Sequence, residues 1–310
     1  MQKYIILPDV TCDLSAEMRE YFGLQNYMPG HVQVDGKEYK TTLDWNEISR
    51  EEFFKTLGNK RKEVTSAPAS PEEYYQCFKG YVEQGYAILS MSISSTISGT
   101  YGITVTVANR IKEEYPDSNI YCFDSKRMSG LLGLLVAYAC EMQANGKTFE
   151  EVIAWLEENK SRVHQMGPID DLTFIARRGR ISKGKAFMGN LVGIKPMGDC
   201  NEGGYVTVLA KVKGIKKALD ATVKYTKKMI KDAENQYIFV HHTDREELAK
   251  ALKEKLEKEI SCKKVFLSDV YSGCGTNIGP GMISVCFMGD PISTDCEKEK
   301  ETLLLAIEEN

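Results

Sequence analysis

Over the first 160 residues, short apolar runs alternate with segments of helical spacing, and this alternation narrows the fold more than any single motif does. Tyr4–Leu7 is an apolar run that ends at Pro8-Asp9, and Ala87–Ile93 and Ile120–Phe123 are two more. Ser70-Pro71-Glu72-Glu73 supplies an N-cap, a proline at the first helical position and a capping-box glutamate, so a helix starts there and stops near Gly85. A second helix runs from Ser98 to about Tyr115, Gly130–Asn145 reads as an apolar helix, and Thr148–Lys160 as a capped amphipathic one. Strands separated by helices require crossover connections and hence a largely parallel sheet. Residues 31–40 alternate about Asp35-Gly36, which signals a hairpin.

The second half mixes hairpins with helices. Val192–Met197 and Tyr205–Leu209 flank N-E-G-G, another hairpin. Ile215–Ile230 and Glu246–Ile260 have helical spacing, Tyr237–His242, Lys264–Ser268 and Ile283–Phe287 read as strands, and the polar end of the chain as a terminal helix. The pattern breaks at S-R-V-H-Q-M-G-P, residues 161–168. We therefore expect an N-terminal α/β domain over 1–165, with a mostly parallel sheet flanked by helices, and a C-terminal α+β domain over 166–310.

Composition excludes several function classes. The net charge of −4 gives no footprint for nucleic acid, and no segment approaches the roughly 20 apolar residues that span a bilayer. The opening M-Q-K-Y-I-I-L-P-D lacks the apolar region of a signal peptide and reads as a first strand. Nine cysteines lie scattered with no C-x-x-C spacing, which points to reduced thiols and a cytoplasmic setting.

The stretch S-I-S-S-T-I-S-G-T-Y, residues 92–101, follows one expected strand and opens the next helix. Ligands bind at the carboxyl ends of strands in open parallel sheets, and a helix N-terminus there favours an anion. Hydroxyls add uncharged donors, so the loop suits a phosphate or a carboxylate; Ser98 equally suits a helix cap. V-T-S-A-P-A-S-P forms a second hydroxyl cluster, in which Ser70 reads as a cap but Thr65 and Ser66 lie too early to be one. Asp9 and Asp124-Ser125 stand at further strand ends, and Asp13 can cap the helix that follows it. G-C-G-T-N-I-G-P-G-M, residues 273–282, reads as a tight turn before a strand, with Thr276 and Asn277 available to the polar end of a ligand.

Other motifs fail on context. Gly179, Gly184 and Lys185 have P-loop spacing, but Ala186 stands where a hydroxyl should hold magnesium, and a helix rather than a strand precedes them. The basic run Arg177–Lys185 is otherwise a solvated face or a surface for an acidic partner. His241 and His242 point to opposite faces of a strand, so they do not form a metal site. No G-x-S-x-G elbow activates a serine.

Taken in order, these motifs resemble the DegV family of bacterial lipid-binding proteins. The family pattern runs Asp-Ser-x-x-Asp-Leu, Thr-Ser-x-Pro-Ser, Ser-Ser-x-x-Ser-Gly-Thr-Tyr, Asp-Ser, Leu-x-Arg-Gly-Gly-Arg-Ile-Ser, Ile-Lys-Pro and His-x-Gly-Pro-Gly. Here the matching stretches are D-V-T-C-D-L, T-S-A-P-A-S, S-S-T-I-S-G-T-Y, D-S, I-A-R-R-G-R-I-S, I-K-P and N-I-G-P-G. The resemblance implies a two-domain α/β protein that buries one long-chain fatty acid between its domains and uses no cofactor. It implies that Thr65, Ser66, Ser94 and Ser95 hold the carboxylate, supported by Thr100, and that some members present the acid to a separate ATP-dependent fatty acid kinase, so that the binding protein is not itself the catalyst. Lys213 stands where the pattern has arginine, Asn277 where it has histidine, Val10 where it has serine, and Arg178 where it has glycine. Lys213, Thr276 and Asn277 complete the expected ligand set. The competing reading from the residues alone is an enzyme acting on a small phosphorylated or carboxylated metabolite at the same loops, and a third is a docking module that uses the basic run.

Overall fold

The computed structural model describes residues 3–59, 61–181 and 193–309. In the first half the elements are β1 (Tyr4–Pro8), α1 (Ala16–Phe22), β2 (Gly30–Val34), β3 (Lys37–Thr41), α2 (Arg50–Gly58), β4 (Val64–Ala67), α3 (Pro71–Glu83), β5 (Ala87–Ser92), α4 (Thr100–Glu114), β6 (Ile120–Asp124), α5 (Gly130–Ala144) and α6 (Phe149–Asn159). There follow β7 (Val163–Met166), α7 (Thr173–Arg177), β8 (Ile194–Cys200), β9 (Val206–Lys213), α8 (Ile215–Met229), β10 (Tyr237–His242), α9 (Glu246–Glu259), β11 (Lys264–Asp269), α10 (Ser272–Ile278), β12 (Ile283–Met288) and α11 (Glu297–Glu308). Val192 and residues 182–185 of the basic run lie outside the described residues, as does most of the P-loop-like spacing.

Strands β1, β5 and β6 form the parallel sheet that the alternation requires, in the order β1-β5-β6. An antiparallel sheet, β3-β2-β4, sits beside it. The chain then builds a mixed sheet, β11-β10-β12-β7, in which β10 and β11 are parallel and β12 runs antiparallel to both β10 and β7. The hairpin β8-β9 forms a two-stranded sheet of its own, with β8 packed against β7. The chain is thus α/β at its start and α+β afterwards.

Helix α5 joins these layers. Its sequence G-L-L-G-L-L-V-A-Y-A-C is buried from Gly130 to Cys140, as a helix that is apolar on every side must be. It packs against β1 on one side and against β7, β10 and β12 on the other. Gly133 makes the close approach possible, because a Cβ there would lie 2.4 Å from the Cys12 carbonyl oxygen. Capping chemistry fixes helix starts: Ser70 and Glu73 form the expected box on α3, with Pro71 at the first position, and Thr148 and Glu151 form another on α6.

Two local expectations are corrected. Asp13 does not cap α1; Ser15 does, its hydroxyl accepting from the Met18 N–H. Asp13 instead adopts a left-handed conformation, with φ 48°, and turns its side chain into the core. The glycine-rich stretch near residue 273 is a helix, α10, rather than a turn. Gly273 and Gly275 are contact points there, since Cβ atoms would meet Val10 and Phe53 at 3.4 and 3.3 Å. The expected sharp turn follows at Gly279 and Gly281, both at positive φ.

Buried Asp13 accepts from the Ser129 hydroxyl at 2.6 Å and the Tyr271 N–H at 3.0 Å. Burial nonetheless pushes its pKa up to about 8, with those bonds opposing the rise. His164 behaves differently. Burial works against its charge, but bonds to Asp199 at 3.0 Å and to the Asp290 carbonyl at 2.7 Å outweigh this and lift its pKa above the usual value. Burial also lowers His241, to about 4, and His242; unfolded, both are still partly protonated at pH 6.5, so they make a smaller contribution of opposite sign, favouring the folded chain as pH rises.

The sign of the pH dependence follows. An acid with a raised folded pKa binds more protons folded than unfolded, so stability falls as pH rises toward about 8. The raised His164 contributes in the same direction, its stabilisation being lost as pH rises through its folded pKa. We expect the protein to be less stable at pH 8 than at pH 6.5, with Asp13 contributing up to about 2 kcal/mol of the loss. Chemical denaturation at both pH values should show a smaller loss in Asp13→Asn; an equal loss would exclude Asp13 as its source.

Candidate functional site

The ends of β1, β4 and β5 and the starts of α4 and α10 surround a cavity of about 190 Å³. Its walls come from both halves of the chain. Asp9, Thr11, Ser66, Ser98, Thr100, Arg180 and Asn277 supply polar groups, and apolar side chains such as Met28, Tyr74 and Ile278 supply the rest.

Each polar group is set by local structure. Asp9 follows β1 and accepts from the Thr11 N–H and the Ile93 N–H, both at 2.8 Å, and from the Thr11 hydroxyl. It ties the first loop to the end of β5. Burial raises its pKa, with these bonds opposing. At the start of α4, Gly99 caps without a side chain, and the Ser98 and Thr100 hydroxyls lie 2.8 Å apart. The Asn277 amide donates to the Ser66 hydroxyl at 3.1 Å, joining α10 to β4. Arg180 reaches the cavity from the loop after α7, its Nε donating to the Ile97 carbonyl at 3.2 Å.

Of the residues expected to hold a ligand, Ser66, Thr100 and Asn277 meet at this cavity. The others are not among its walls. Thr65 precedes Ser66 on β4, opposite Gln33, and strand alternation turns it to the other face. Ser94 is fully buried, its hydroxyl accepting from the Thr96 N–H at 3.3 Å. Ser95 donates to Asp124 at 2.5 Å through its hydroxyl and accepts from Lys126 at 2.8 Å. Burial pulls the Asp124 pKa upward, but the bonds from Ser95 and Lys126 win and hold it below the ordinary value. Thr276 is buried and donates to the Ser272 carbonyl at 2.8 Å, a bond within its own helix. Lys213 is exposed at the end of β9, opposite Ile194.

Thr11, Ser98 and Arg180 are wall residues that the sequence did not identify as ligand groups. Ser98 was expected as a cap, but Gly99 takes that position and leaves the Ser98 hydroxyl at the cavity, and Arg180 was hidden within a run of basic residues. Only the fold separates Arg180 from its neighbours, because Arg178 donates instead to the Val64 carbonyl.

A second cavity, of about 60 Å³, adjoins the first. Met128, Ile175, Val206 and Ile278 line both and form the ring between them. Beyond the ring the walls are mainly apolar, among them Leu172, Met197 and Met282. The hairpin β8-β9 contributes Met197, Val206 and Val208. Its tip is clamped to the serine loop: the Thr96 hydroxyl donates to the Gly203 carbonyl at 2.6 Å, and the buried Arg127 donates to the Asn201 carbonyl at 3.1 Å.

The arrangement can hold an amphipathic molecule. It offers hydroxyls, one amide, one guanidinium and the Asp9 carboxyl, itself held by backbone N–H groups, at one end, and an apolar bore at the other. Among the described residues no group of three or more His, Cys, Asp or Glu could hold a metal ion, and no helix is long and apolar enough to cross a membrane. The cavity's cysteine, Cys274, donates to the Thr11 carbonyl, and burial drives its pKa well above the usual thiol value, so it is no thiolate nucleophile.

Known proteins share this architecture. A DegV domain-containing protein of Clostridium perfringens is 33% identical over 290 residues, covering 94% of this chain and 99% of its own. Another, from Caldanaerobacter subterraneus, is 29% identical over 287 residues, covering 93% and 99%. A DegV family protein of Ruminococcus gnavus, refined with vaccenic acid, superposes with a TM-score of 0.82 at 22% identity, covering 92% of this chain and 100% of that one. A DegV family protein of Thermus thermophilus, described for its fatty acid binding, gives 0.82 at 24%, covering 93% and 100%. A stearic acid-binding protein of Eubacterium ventriosum gives 0.79 at 23%, covering 92% and 98%. At these identities the structural likenesses speak to fold. The model of the DegV family, a family described as uncharacterised, matches residues 3–290. With that match spanning nearly its whole length, the chain belongs to the DegV family.

Proposed function

We propose that this protein binds one long-chain fatty acid, with the carboxylate at the polar mouth and the acyl tail passing the ring of Met128, Ile175, Val206 and Ile278. The observation that carries this reading is an apolar bore that opens onto uncharged donors and a single guanidinium, the one carboxyl there, Asp9, being turned to backbone N–H groups and Thr11. Fatty acids bound by structurally similar proteins support it. A small phosphorylated metabolite fits less well, since it would leave the apolar ring facing water.

The carboxylate is held by Ser66, Ser98, Thr100, Asn277 and Arg180, with the free N–H groups at the start of α4 adding a favourable field. Burying about 15 methylenes at roughly 0.8 kcal/mol each gives on the order of 12 kcal/mol before the entropy of binding is subtracted. Tail burial therefore sets most of the affinity, and the mouth sets orientation. The role is binding rather than catalysis: Ser66, Ser98 and Thr100 bond one another or an amide, the Asp9 carboxyl that takes the Thr11 hydroxyl is tied to two backbone N–H groups, and no histidine lies among the wall residues.

Native mass spectrometry of protein purified without added lipid should show one bound mass, released by organic extraction as a long-chain acid. Protein that is empty and also refuses oleate and palmitate would overturn the proposal. Arg180→Gln removes the mouth's cation and should weaken oleate binding about tenfold, as loss of a charged hydrogen bond does. Ser94→Ala, away from the cavity, should lower thermal stability and leave oleate affinity within about twofold of wild type, as removal of one buried hydroxyl does. Titration calorimetry separates the two effects, and equal affinity losses would contradict this placement of the head group.

A further inference from the structure

The second cavity is not wholly apolar, and its polar groups are arranged by the mixed sheet. His241 pairs with Ser268 on one side and Ser284 on the other, so these three form a row on one face. Ser268 and His241 both donate to the Asp13 carbonyl, at 2.8 and 3.0 Å. The row ends at Ser284, which lines the cavity. Two residues on, Cys286 shares that face and stands opposite Gln165 of β7. Gln165 therefore points the same way as Ser284, and both line the cavity beyond the ring.

The Gln165 backbone N–H is used, donating to Asp199 at 2.8 Å. Its carboxamide, with two donors and an acceptor, is half-buried and has no hydrogen-bond partner among the described residues, so it is left to whatever fills the cavity. The surrounding walls include Leu172, Met197 and Met282, which offer it nothing. A saturated tail lying here would cover the amide without satisfying it, and an unpaired amide against hydrocarbon is costly. A ligand hydroxyl would satisfy it and displace water without loss of hydrogen bonds.

We infer that the preferred ligand is an oxygenated long-chain acid, one carrying a hydroxyl in the distal half of its tail, read by Gln165 and Ser284. This rests on the fatty-acid reading above and narrows it. The ring separates these groups from the carboxylate site, so they read the tail and not the head. A site built to bond a hydroxyl discriminates against the analogue that lacks it.

The test compares stearate, 10-hydroxystearate and 12-hydroxystearate by titration calorimetry on the wild-type protein and on Gln165→Met, which keeps the side-chain length. Thermal melts of both proteins establish that each is folded. At least one hydroxy acid should bind wild type about tenfold more tightly than stearate, the value of one buried hydrogen bond. In Gln165→Met that preference should disappear, and stearate should bind severalfold more tightly than it binds wild type. Stearate binding with no preference for either hydroxy acid, or a preference that survives in Gln165→Met, overturns the inference and leaves the fatty-acid site standing. Refusal of all three acids overturns both.

Discussion

A single buried aspartate holds together the elements that make the cavity. The carboxylate of Asp13 receives Ser129, at the start of α5, and the N–H of Tyr271, just before α10. Its carbonyl receives His241 of β10 and Ser268 of β11. Four bonds thus join the loop after β1 to both halves of the chain. Asp9 and Thr11 lie in that same loop, Met128 precedes Ser129, and Cys274 and Asn277 follow Tyr271 on α10. Wall residues separated by more than 260 positions keep a common frame because they share one anchor. The left-handed turn at Asp13 aims its carbonyl and carboxyl into different neighbours, and the bonds to the carboxyl offset part of the cost of burying it.

The hydroxyl-rich loop serves two purposes that its composition does not distinguish. Ser94, Ser95 and Thr96 are spent on structure: on a loop turn, on Asp124 and Lys126, and on the hairpin tip. Ser98 and Thr100 face the cavity. The division follows from the chain's path. The first three residues leave β5 toward β6, whose end supplies Asp124, and the later two enter α4, whose free end faces the bore. Hydroxyls suit both tasks, because they bond a carboxylate or a carbonyl without bringing a charge into the core.

This division also marks where the sequence stopped being informative. Helix starts were legible because capping is local: Ser70 and Glu73 lie three residues apart and need nothing else. The parallel strands were legible as continuous apolar runs. Strand β4 was not, since V-T-S-A is four residues long and ends at a proline. Without that strand, the opposite facing of Thr65 and Ser66 has no basis. Helix α10 was hidden by glycines, which lower helix propensity yet permit close packing against Val10 and Phe53. Arg180 could not be told from Arg177 and Arg178, because charge alone does not say which cation turns inward. Gln165 sits in a strand of the mixed sheet, and the face it occupies is known only from the register with Cys286.

The hairpin β8-β9 connects the two ends of the proposed ligand. It supplies Met197, Val206 and Val208 to the tail cavity, and its tip bonds the serine loop that leads to the mouth. Arg127 strengthens that contact. Its guanidinium is buried beside the carbonyls of Lys126 and Asn201 and donates to both. Gly204 permits the approach, since a Cβ there would lie 2.2 Å from the Ser94 hydroxyl oxygen. A shift of the hairpin large enough to widen the bore must therefore also disturb the loop that carries Ser98 and Thr100. Tail fit and head-group alignment are consequently not independent. A tail that forces the hairpin outward loses alignment at the mouth, whereas one that leaves the tip bonds intact keeps it. Selectivity for the tail can in this way reach the carboxylate through packed protein, with no direct contact between the two ends of the site.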